Sequence, residues 1–240
     1  MTTSISPLLL IVETSGRVGA LALARGPDLL CVQHLDETRR HARDLAPLTA
    51  ALLKERGLSL RDLAGVVVGL GPGSYTGLRV GVMSAKALSY ATGCALIGVS
   101  TFAAIARQTP ATTHRLDVLA DAQQDKIYVQ SFIRESGAWQ QATPLAVVAF
   151  ASWLAARPQE SQATGPGLHR WRSHIPDGAR ITDTAGWDPQ PASLLDIGLG
   201  RFLAGQRDDV FALEPFYLRP SSAEEQWARR PRPSSGGTGA

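Results

Sequence analysis

The sequence predicts an α/β protein in which mixed sheets are flanked by helices. Short apolar runs, typical of buried strands, alternate with longer amphipathic segments, and glycine or proline residues separate the two kinds of segment. With 44% hydrophobic residues among 240, the chain can bury a substantial core. Strands that alternate with helices after an opening meander imply a mixed sheet with helices packed on it.

Three short strands open the chain. We predict them at Leu8–Thr14, Val18–Arg25 and Leu29–His34, with turns of three residues between them. Turns this short join antiparallel neighbours. The first three strands therefore form an antiparallel meander.

A helix that reaches about Arg56 follows the meander. Asp44 is a suitable cap for it, and Pro47, which has no N–H to donate, is expected in its first turn. One apolar stripe at i, i+3 and i+7 consists of Leu45, Leu48 and Leu52. These residues give the helix one apolar face.

The next segment contains a strand, a glycine-rich turn, a helix and another strand. The strands are predicted at Val66–Val68 and Ala95–Val99, and the helix at Thr76–Thr92, with Ser74 or Thr76 as its cap. The element order is therefore βββαβαβ. It is the order of the ribonuclease H-like half-domain that is duplicated in actin, the sugar kinases and Hsp70.

The glycine turn has two readings. A glycine-rich loop that opens a helix presents N–H groups to phosphate, whereas glycines also serve tight turns through backbone freedom alone. Spacing leaves both readings open. Gly71-x-Gly73-x-x-x-Gly77 also resembles a loosened dinucleotide-binding motif, but that motif follows the first strand of its fold, and here it follows the fourth. A nicotinamide-dependent oxidoreductase is therefore a minor alternative.

The second half of the chain looks like a degenerate copy of the first. Its predicted elements are a hairpin of Leu116–Ala122 and Lys126–Arg134, a helix at Val147–Arg157, a second glycine turn at Gly165–Gly167, a strand near Arg180–Thr184 and a helix at Pro191–Ala204. We predict a first domain over 1–107, a smaller second domain over 108–204, docking of about 205–219 on the first domain, and a disordered tail over 220–240.

Familiar catalytic and metal-binding patterns are missing from the sequence. The five histidines form no HxxxH or HExxH pair, and no GxSxG motif occurs. Asp117, Asp121 and Asp125 are read as strand-end and turn residues. Cys31 and Cys94 are far apart, which favours a reducing compartment over a disulfide framework. No signal peptide or membrane span is recognisable, so we expect a cytoplasmic protein.

Several segments resemble one known family. The run from Gly69 to Thr101, GLGPGSYTGLRVGVMSAKALSYATGCALIGVST, is similar to the signature of the TsaB (YeaZ) family. Four shorter segments resemble other parts of that family: IVETSGRVGALAL, HARDLAPLTAALL, ADAQQDKIYV and EPFYLR, the last being similar to its closing strand. The resemblance covers most of residues 8–219.

The resemblance implies a two-domain protein of the actin-like (ASKHA) superfamily, with a role in forming threonylcarbamoyladenosine (t6A) at the tRNA adenosine 3′ to the anticodon. In that family the chain is the non-catalytic partner of the TsaD subunit, which transfers the threonylcarbamoyl group, and TsaE, an ATPase, completes the complex. ATP, threonine and bicarbonate are used by the pathway, and no cofactor of its own is expected. Two metal-binding histidines of TsaD correspond here to Thr101 and Ile105, so neither a metal site nor peptidase activity is expected.

Two sets of site residues follow from this reading. The helix pair is expected to bind TsaD, or a second copy of the chain when it is alone, because the small residues Gly77, Gly81 and Ser84, together with Met83, could admit a partner helix. The predicted partner-binding residues are His41, Leu45, Leu48, Leu52, Gly77, Leu78, Gly81, Ser84 and Ala85. The candidate phosphate-facing loops contain Glu13, Thr14, Ser15, Gly71, Gly73 and Ser74.

The sequence departs from the family at two places. Glu13 stands where Asp is usual, and Gln124, Asp125 and Lys126 replace a more typical turn. Both changes weaken the alternative reading, an autonomous actin-like phosphotransferase that binds ATP between its domains. A direct tRNA contact through Arg39, Arg40 and Arg43 stays open, with tRNA expected to bind only indirectly or weakly.

Overall fold

A computed structural model of the chain describes residues 6–35 and 41–218, except for the side chains of residues 41–44. The predicted tail over 220–240 and the cluster of Arg39, Arg40 and Arg43 lie outside this description. Within the described part, no helix is both long and apolar enough to cross a membrane.

The first sheet has the predicted mixed topology. Its strands are β1 (Leu8–Glu13), β2 (Ala20–Arg25), β3 (Asp28–His34), β4 (Gly65–Gly69) and β5 (Ala95–Val99), in the spatial order β3-β2-β1-β4-β5. β1, β2 and β3 pair antiparallel, whereas β4 runs parallel to both β1 and β5. The meander and the βββαβαβ order are therefore confirmed.

Helices cover both faces of this sheet. Helices α1 (His41–Lys54) and α2 (Tyr75–Thr92) pack on one face, with the side chains of Leu8, Leu10 and Val12. Helices α3 (Thr101–Arg107) and α6 (Pro191–Leu203) pack on the other face, where Leu9 and Ile11 point. This division follows from the two-residue period of a strand, which sends successive side chains to opposite faces.

The two helices on the first face begin differently from each other. Helix α2 has the predicted N-cap, because Ser74 Oγ accepts a hydrogen bond from the Gly77 N–H at 3.2 Å. Helix α1 begins at His41, so the predictions of Asp44 as its cap and of Pro47 in its first turn are wrong. Packing of the buried leucine stripe outweighs the one backbone hydrogen bond that an exposed proline removes.

The second sheet contains β6 (Arg115–Asp121), β7 (Lys126–Glu135), β8 (Ala138–Gln141), β9 (Ala146–Ala149) and β10 (Gln162–Thr164). The order is β10-β6-β7-β8, and β9 also pairs with β7. The antiparallel β6–β7 hairpin confirms its prediction. Helices α4 (Phe150–Ala156) and α5 (Leu168–Trp171) complete this half.

Two predictions for this half are corrected. The segment predicted as a helix from Val147 begins as a strand, since Val147 and Val148 pair with β7 and the helix starts only at Phe150. β-Branched valines suit a pleated strand better than a helix. The strand predicted near Arg180 is reduced to one bridge between Ile181 and Ala163.

The chain returns to the first sheet at its end. Leu194 and Leu195 of α6 lie in the core of the first sheet. The backbone N–H of Asp208 then donates to the Leu96 carbonyl, and that of Phe216 to the Leu70 carbonyl, both at 2.9 Å. Glu214–Leu218, the described part of EPFYLR, is irregular rather than a strand, because Pro215 has no N–H for a ladder. The division into two domains stays a prediction.

Candidate functional site

Polar side chains meet at the carboxyl edge of the first sheet. Strands β1, β4 and β5 are parallel and therefore end at the same edge, where ligands bind in open α/β sheets. The Ser15 N–H donates to Glu13 Oε1 at 2.5 Å, and the Thr101 hydroxyl donates to Glu13 Oε2 at 3.3 Å. The Gly71 N–H in turn donates to Thr101 Oγ1 at 3.1 Å. The turn after β1, the glycine loop and α3 are thus joined through one carboxyl group.

Glu13 is a buried titratable group. Only 1% of the residue is exposed. Burial raises the pKa of its carboxyl group above the ordinary value of 4.5, while hydrogen bonds from the Ser15 hydroxyl and amide and from the Thr101 hydroxyl act in the opposite direction. Burial is the largest of these contributions. The groups that bind the carboxyl group are neutral.

The glycine loop is packed closely against the end of β1. The Ser74 N–H donates to the Ser15 carbonyl at 2.8 Å, and the Thr14 hydroxyl donates to the Gly77 carbonyl at 2.8 Å. Gly71 has φ +87°, a left-handed conformation that favours glycine. In the two predicted phosphate-facing loops, the N–H groups of Ser15, Gly71 and Ser74 therefore already donate to partners within the chain.

Gly77 and Gly81 make this close packing possible. A Cβ on Gly77 would overlap the Thr14 carbonyl oxygen, and a Cβ on Gly81 would overlap Thr14 Oγ1. The two glycines therefore let α2 pack directly against Thr14, at the end of the chain's own first strand. This corrects the expectation that they leave room for a partner helix.

The other predicted partner-binding residues divide into two groups. Four apolar side chains belong to the core of the first sheet rather than to a surface: Leu45, Leu52, Leu78 and Ala85. Leu48 and Ser84 are half-buried. The side chain of His41 lies outside the described part of the chain.

The exposed side of the same helices still forms an apolar surface, which we call the α1–α2 face. It comprises Ala46 and Ala50 of α1 and Met83, Ala87 and Tyr90 of α2, all exposed. A cavity of about 240 Å³ lies beneath this face, between the two helices and the sheet. Its lining includes Ala46, Thr49, Ser84, Ala87 and Leu88 of the helices and Leu10, Val12 and Leu21 of the strands.

An aromatic contact next to this face was missed in the sequence. The exposed rings of Tyr90 and Phe211 lie edge to face, with their centroids 6.0 Å apart. The Lys86 side chain holds the segment that carries Phe211 by donating to the carbonyls of Phe211 and Leu213 at 3.2 and 3.1 Å. Because these residues are 125 and 127 positions apart from Lys86, local pattern gave no signal for the contact.

The carboxylates of the second sheet do not gather into one site. Asp117 is buried and accepts hydrogen bonds from the Ser131 hydroxyl and Trp153 Nε1 at 2.7 and 3.2 Å. Asp121 and Asp125 instead pair with Arg170. Among the described residues, no group of three or more His, Cys, Asp or Glu could hold a metal ion.

The two positions that match metal-binding histidines in the resembling family have structural roles here. Thr101 is the first residue of α3 and bonds to Glu13. Ile105 is fully buried in the apolar cluster between α3 and the second sheet. Neither side chain is a ligand that metal ions prefer.

Comparison with known proteins places the chain in a family. The model of the family described as TsaD: tRNA N6-adenosine threonylcarbamoyltransferase matches residues 20–176. The tRNA threonylcarbamoyladenosine biosynthesis protein TsaB of Bacillus subtilis is 27% identical over 226 residues, which are 91% of this chain and 97% of that protein. The chain belongs to this family, on its TsaB (YeaZ) branch. TsaB of Escherichia coli is 29% identical over 205 residues, or 80% of this chain and 85% of that one.

A solved structure supports the fold in the same way. YeaZ from Pseudomonas aeruginosa superimposes with a TM-score of 0.72 at 24% identity, covering 88% of this chain and all of that one. The two mixed sheets with their flanking helices thus have the fold of this YeaZ structure.

Proposed function

We propose that this chain is a non-catalytic subunit required for t6A formation on tRNA, which acts by binding the catalytic TsaD subunit in a complex with TsaE. The similarity to proteins named TsaB extends almost from end to end. The family model that matches the chain is described by the transferase reaction itself. In this proposal the chain contributes a binding surface, and the transfer chemistry belongs to TsaD.

One observation supports this assignment: the α1–α2 face is an exposed apolar helix surface, and a cavity lies between its two helices and the sheet. Met83 is 60% exposed, although it lies on a helix whose other face is fully buried. Exposed alanines next to it allow a partner helix to approach closely. Exposed apolar patches of this kind commonly bind the apolar face of a partner helix. We therefore place TsaD on this face, and a second copy of the chain on the same face when TsaD is absent.

Reconstitution tests the proposal. Purified TsaD and TsaE are combined with unmodified tRNA, the enzyme that makes threonylcarbamoyl-adenylate, and this chain, and t6A nucleoside is measured by mass spectrometry after digestion. We expect t6A only when the chain is present. Met83→Arg is expected to abolish co-purification with TsaD and to lower the rate of t6A formation at least about tenfold, because it places a charge in an apolar interface.

Leu203→Arg is the matched control. Leu203 is also an exposed apolar helix residue, 69% exposed, but it ends α6 on the opposite face of the sheet. We expect this variant to behave as the wild type in both assays. If Met83→Arg stays folded and still supports TsaD binding and t6A formation, the α1–α2 face is the wrong surface. If t6A forms equally well without the chain, the proposed function fails altogether.

A further inference from the structure

We propose that the cavity between α1, α2 and the first sheet is a receptor pocket for one apolar side chain of the protein that docks on the α1–α2 face. The inference rests on the proposed function, because it names the chemical group that enters this face when TsaD binds. The group it requires is uncharged and apolar, of about the size of a leucine side chain or a benzene ring.

The lining of the cavity is mainly apolar. Its floor consists of Leu10, Val12 and Leu21 of the strands, which are all buried. None of the described residues that line it carries a charge. The Thr49 hydroxyl, one of two side-chain hydroxyls in the lining, already donates to the Leu45 carbonyl at 2.7 Å. A charged ligand would lose its hydration there with few groups to replace it, whereas an apolar ligand would gain contacts.

The size of the cavity suits one small apolar group. Its volume of about 240 Å³ exceeds the roughly 150 Å³ of an engineered cavity in another protein, lined by leucine, isoleucine and phenylalanine, that stays dry and binds benzene. The walls of a dry cavity lose dispersion contacts, and an apolar group that enters restores them. Water is a poor occupant, because a bound water molecule needs two or more polar partners.

The mouth of the cavity lies on the α1–α2 face. Ala46 of α1 and Ala87 of α2 are exposed members of that face and also line the cavity, as does Leu60, which is 40% exposed. A free small molecule in the cavity would leave Met83 and Tyr90 uncovered beside it, whereas a docked helix covers both and inserts a side chain. Apolar anchors that fill pockets supply much of the binding energy of protein interfaces. A side chain of the docked partner is therefore the expected occupant.

Benzene is the probe for the full-length chain alone, and binding is followed through the ¹³C methyl resonances of Leu10, Val12 and Leu21. We expect saturable shifts in the wild type. Ser84→Leu enlarges a side chain of the cavity wall. It is expected to weaken benzene binding at least about tenfold and to raise the melting temperature by about 2–4 °C, since cavity filling stabilises a fold. Ala91→Leu, on an exposed residue of α2 outside the lining, is the control and is expected to bind benzene as the wild type does.

Binding of purified TsaD tests the identity of the occupant. Ser84→Leu is expected to lower the affinity for TsaD at least about tenfold, although the variant is more stable, while Ala91→Leu is expected to bind as the wild type does. A competition experiment needs no variant. Benzene at about ten times its own dissociation constant is expected to weaken TsaD binding to the wild type about tenfold, because both ligands require the same pocket.

Three results would each overturn the inference. The first is a wild-type chain whose floor methyl groups show no saturable shift with benzene. The second is a folded Ser84→Leu variant that binds TsaD as tightly as the wild type. The third is TsaD binding to the wild type that benzene does not weaken. If Met83→Arg nevertheless abolishes TsaD binding, only the pocket is lost and the docking face stands. If TsaD binding survives Met83→Arg as well, the docking proposal fails together with the pocket.

Discussion

The Thr14 hydroxyl donates to the Gly77 carbonyl at 2.8 Å, and this contact joins the end of β1 to the first turn of α2. Both groups are buried. The two segments can meet only because Gly77 has no side chain, since a Cβ there would overlap the Thr14 carbonyl oxygen. The central glycine-rich segment is therefore first of all a packing device for the chain's own sheet.

Gly77→Ala is expected to destabilise the protein by about 2–3 kcal/mol, because the added methyl group meets backbone that cannot move aside easily. Urea denaturation measures the change. Gly200→Ala is the control, because Gly200 is also a helix residue but a Cβ there meets no atom within 4 Å. This control is expected to be neutral or to stabilise by about 0.5–1 kcal/mol. Equal effects of the two substitutions would show that Gly77 is not a spacer.

Helix α2 offers a second test, which separates core residues from surface residues. Leu78 is fully buried, and Leu78→Ala is expected to cost about 2–5 kcal/mol of unfolding free energy through the cavity it leaves. Met83→Ala, on the exposed side of the same helix, is expected to change stability by less than about 0.5 kcal/mol. Thermal melts of both variants measure these changes in stability. A stable Leu78→Ala variant would return Leu78 to the list of partner-facing residues.

We expect the Asp208 side chain to hold the segment after α6 in its position against the first sheet. Its carboxylate accepts from the Gly98 N–H at 2.7 Å and from two nitrogens of Arg201, each at 3.1 Å. Asp208→Ala removes the acceptor of the Gly98 N–H and of Arg201 Nη2, and we expect a loss of about 1–3 kcal/mol of unfolding free energy together with faster amide exchange over 205–218.

Asp196→Ala is the matched control for this carboxylate. It breaks a pair with Arg107 whose two side chains are both half-exposed, so its expected cost is below about 1 kcal/mol. If amide hydrogen exchange over 205–218 is unchanged in Asp208→Ala, other contacts hold the segment.

The burial of Glu13 predicts that the free energy of unfolding depends on pH in an unusual way. Because burial raises the pKa of its carboxyl group in the folded state, the folded protein binds more protons than the unfolded one above pH 4.5. The contribution of Glu13 to stability therefore falls as pH rises from 4.5 to the folded-state pKa. Glu13→Gln removes the titration, so its unfolding free energy relative to the wild type is expected to rise with pH in this window, by at most about 1.4 kcal/mol per pH unit.

Denaturation curves at several pH values, recorded in parallel for the two proteins, check this expectation. The difference between them is expected to be flat below pH 4.5, where the carboxyl group is protonated in both states. A difference that falls with rising pH would indicate a carboxylate stabilised by its hydrogen bonds, contrary to the effect of burial.

Local pattern determined much of this molecule. Short apolar runs bounded by turn residues located the five strands of the first sheet, and the cap at Ser74 located α2. These features depend on neighbours in sequence, because capping, turn geometry and side-chain alternation act over a few residues. The same segments carried the resemblance to TsaB that the comparisons support.

Tertiary structure alone decided which small and apolar residues face inward. The pattern of glycines on α2 is compatible with a partner helix, but Thr14 occupies that space. The stripe of α1 looks like an interface, yet Leu45 and Leu52 complete the core. Two hydrogen bonds exist only because distant segments meet. One joins Thr101 to Glu13, 88 residues away, and the other joins the Lys86 side chain to the Phe211 carbonyl. Periodicity shows that a face is apolar, whereas three-dimensional packing determines what covers it.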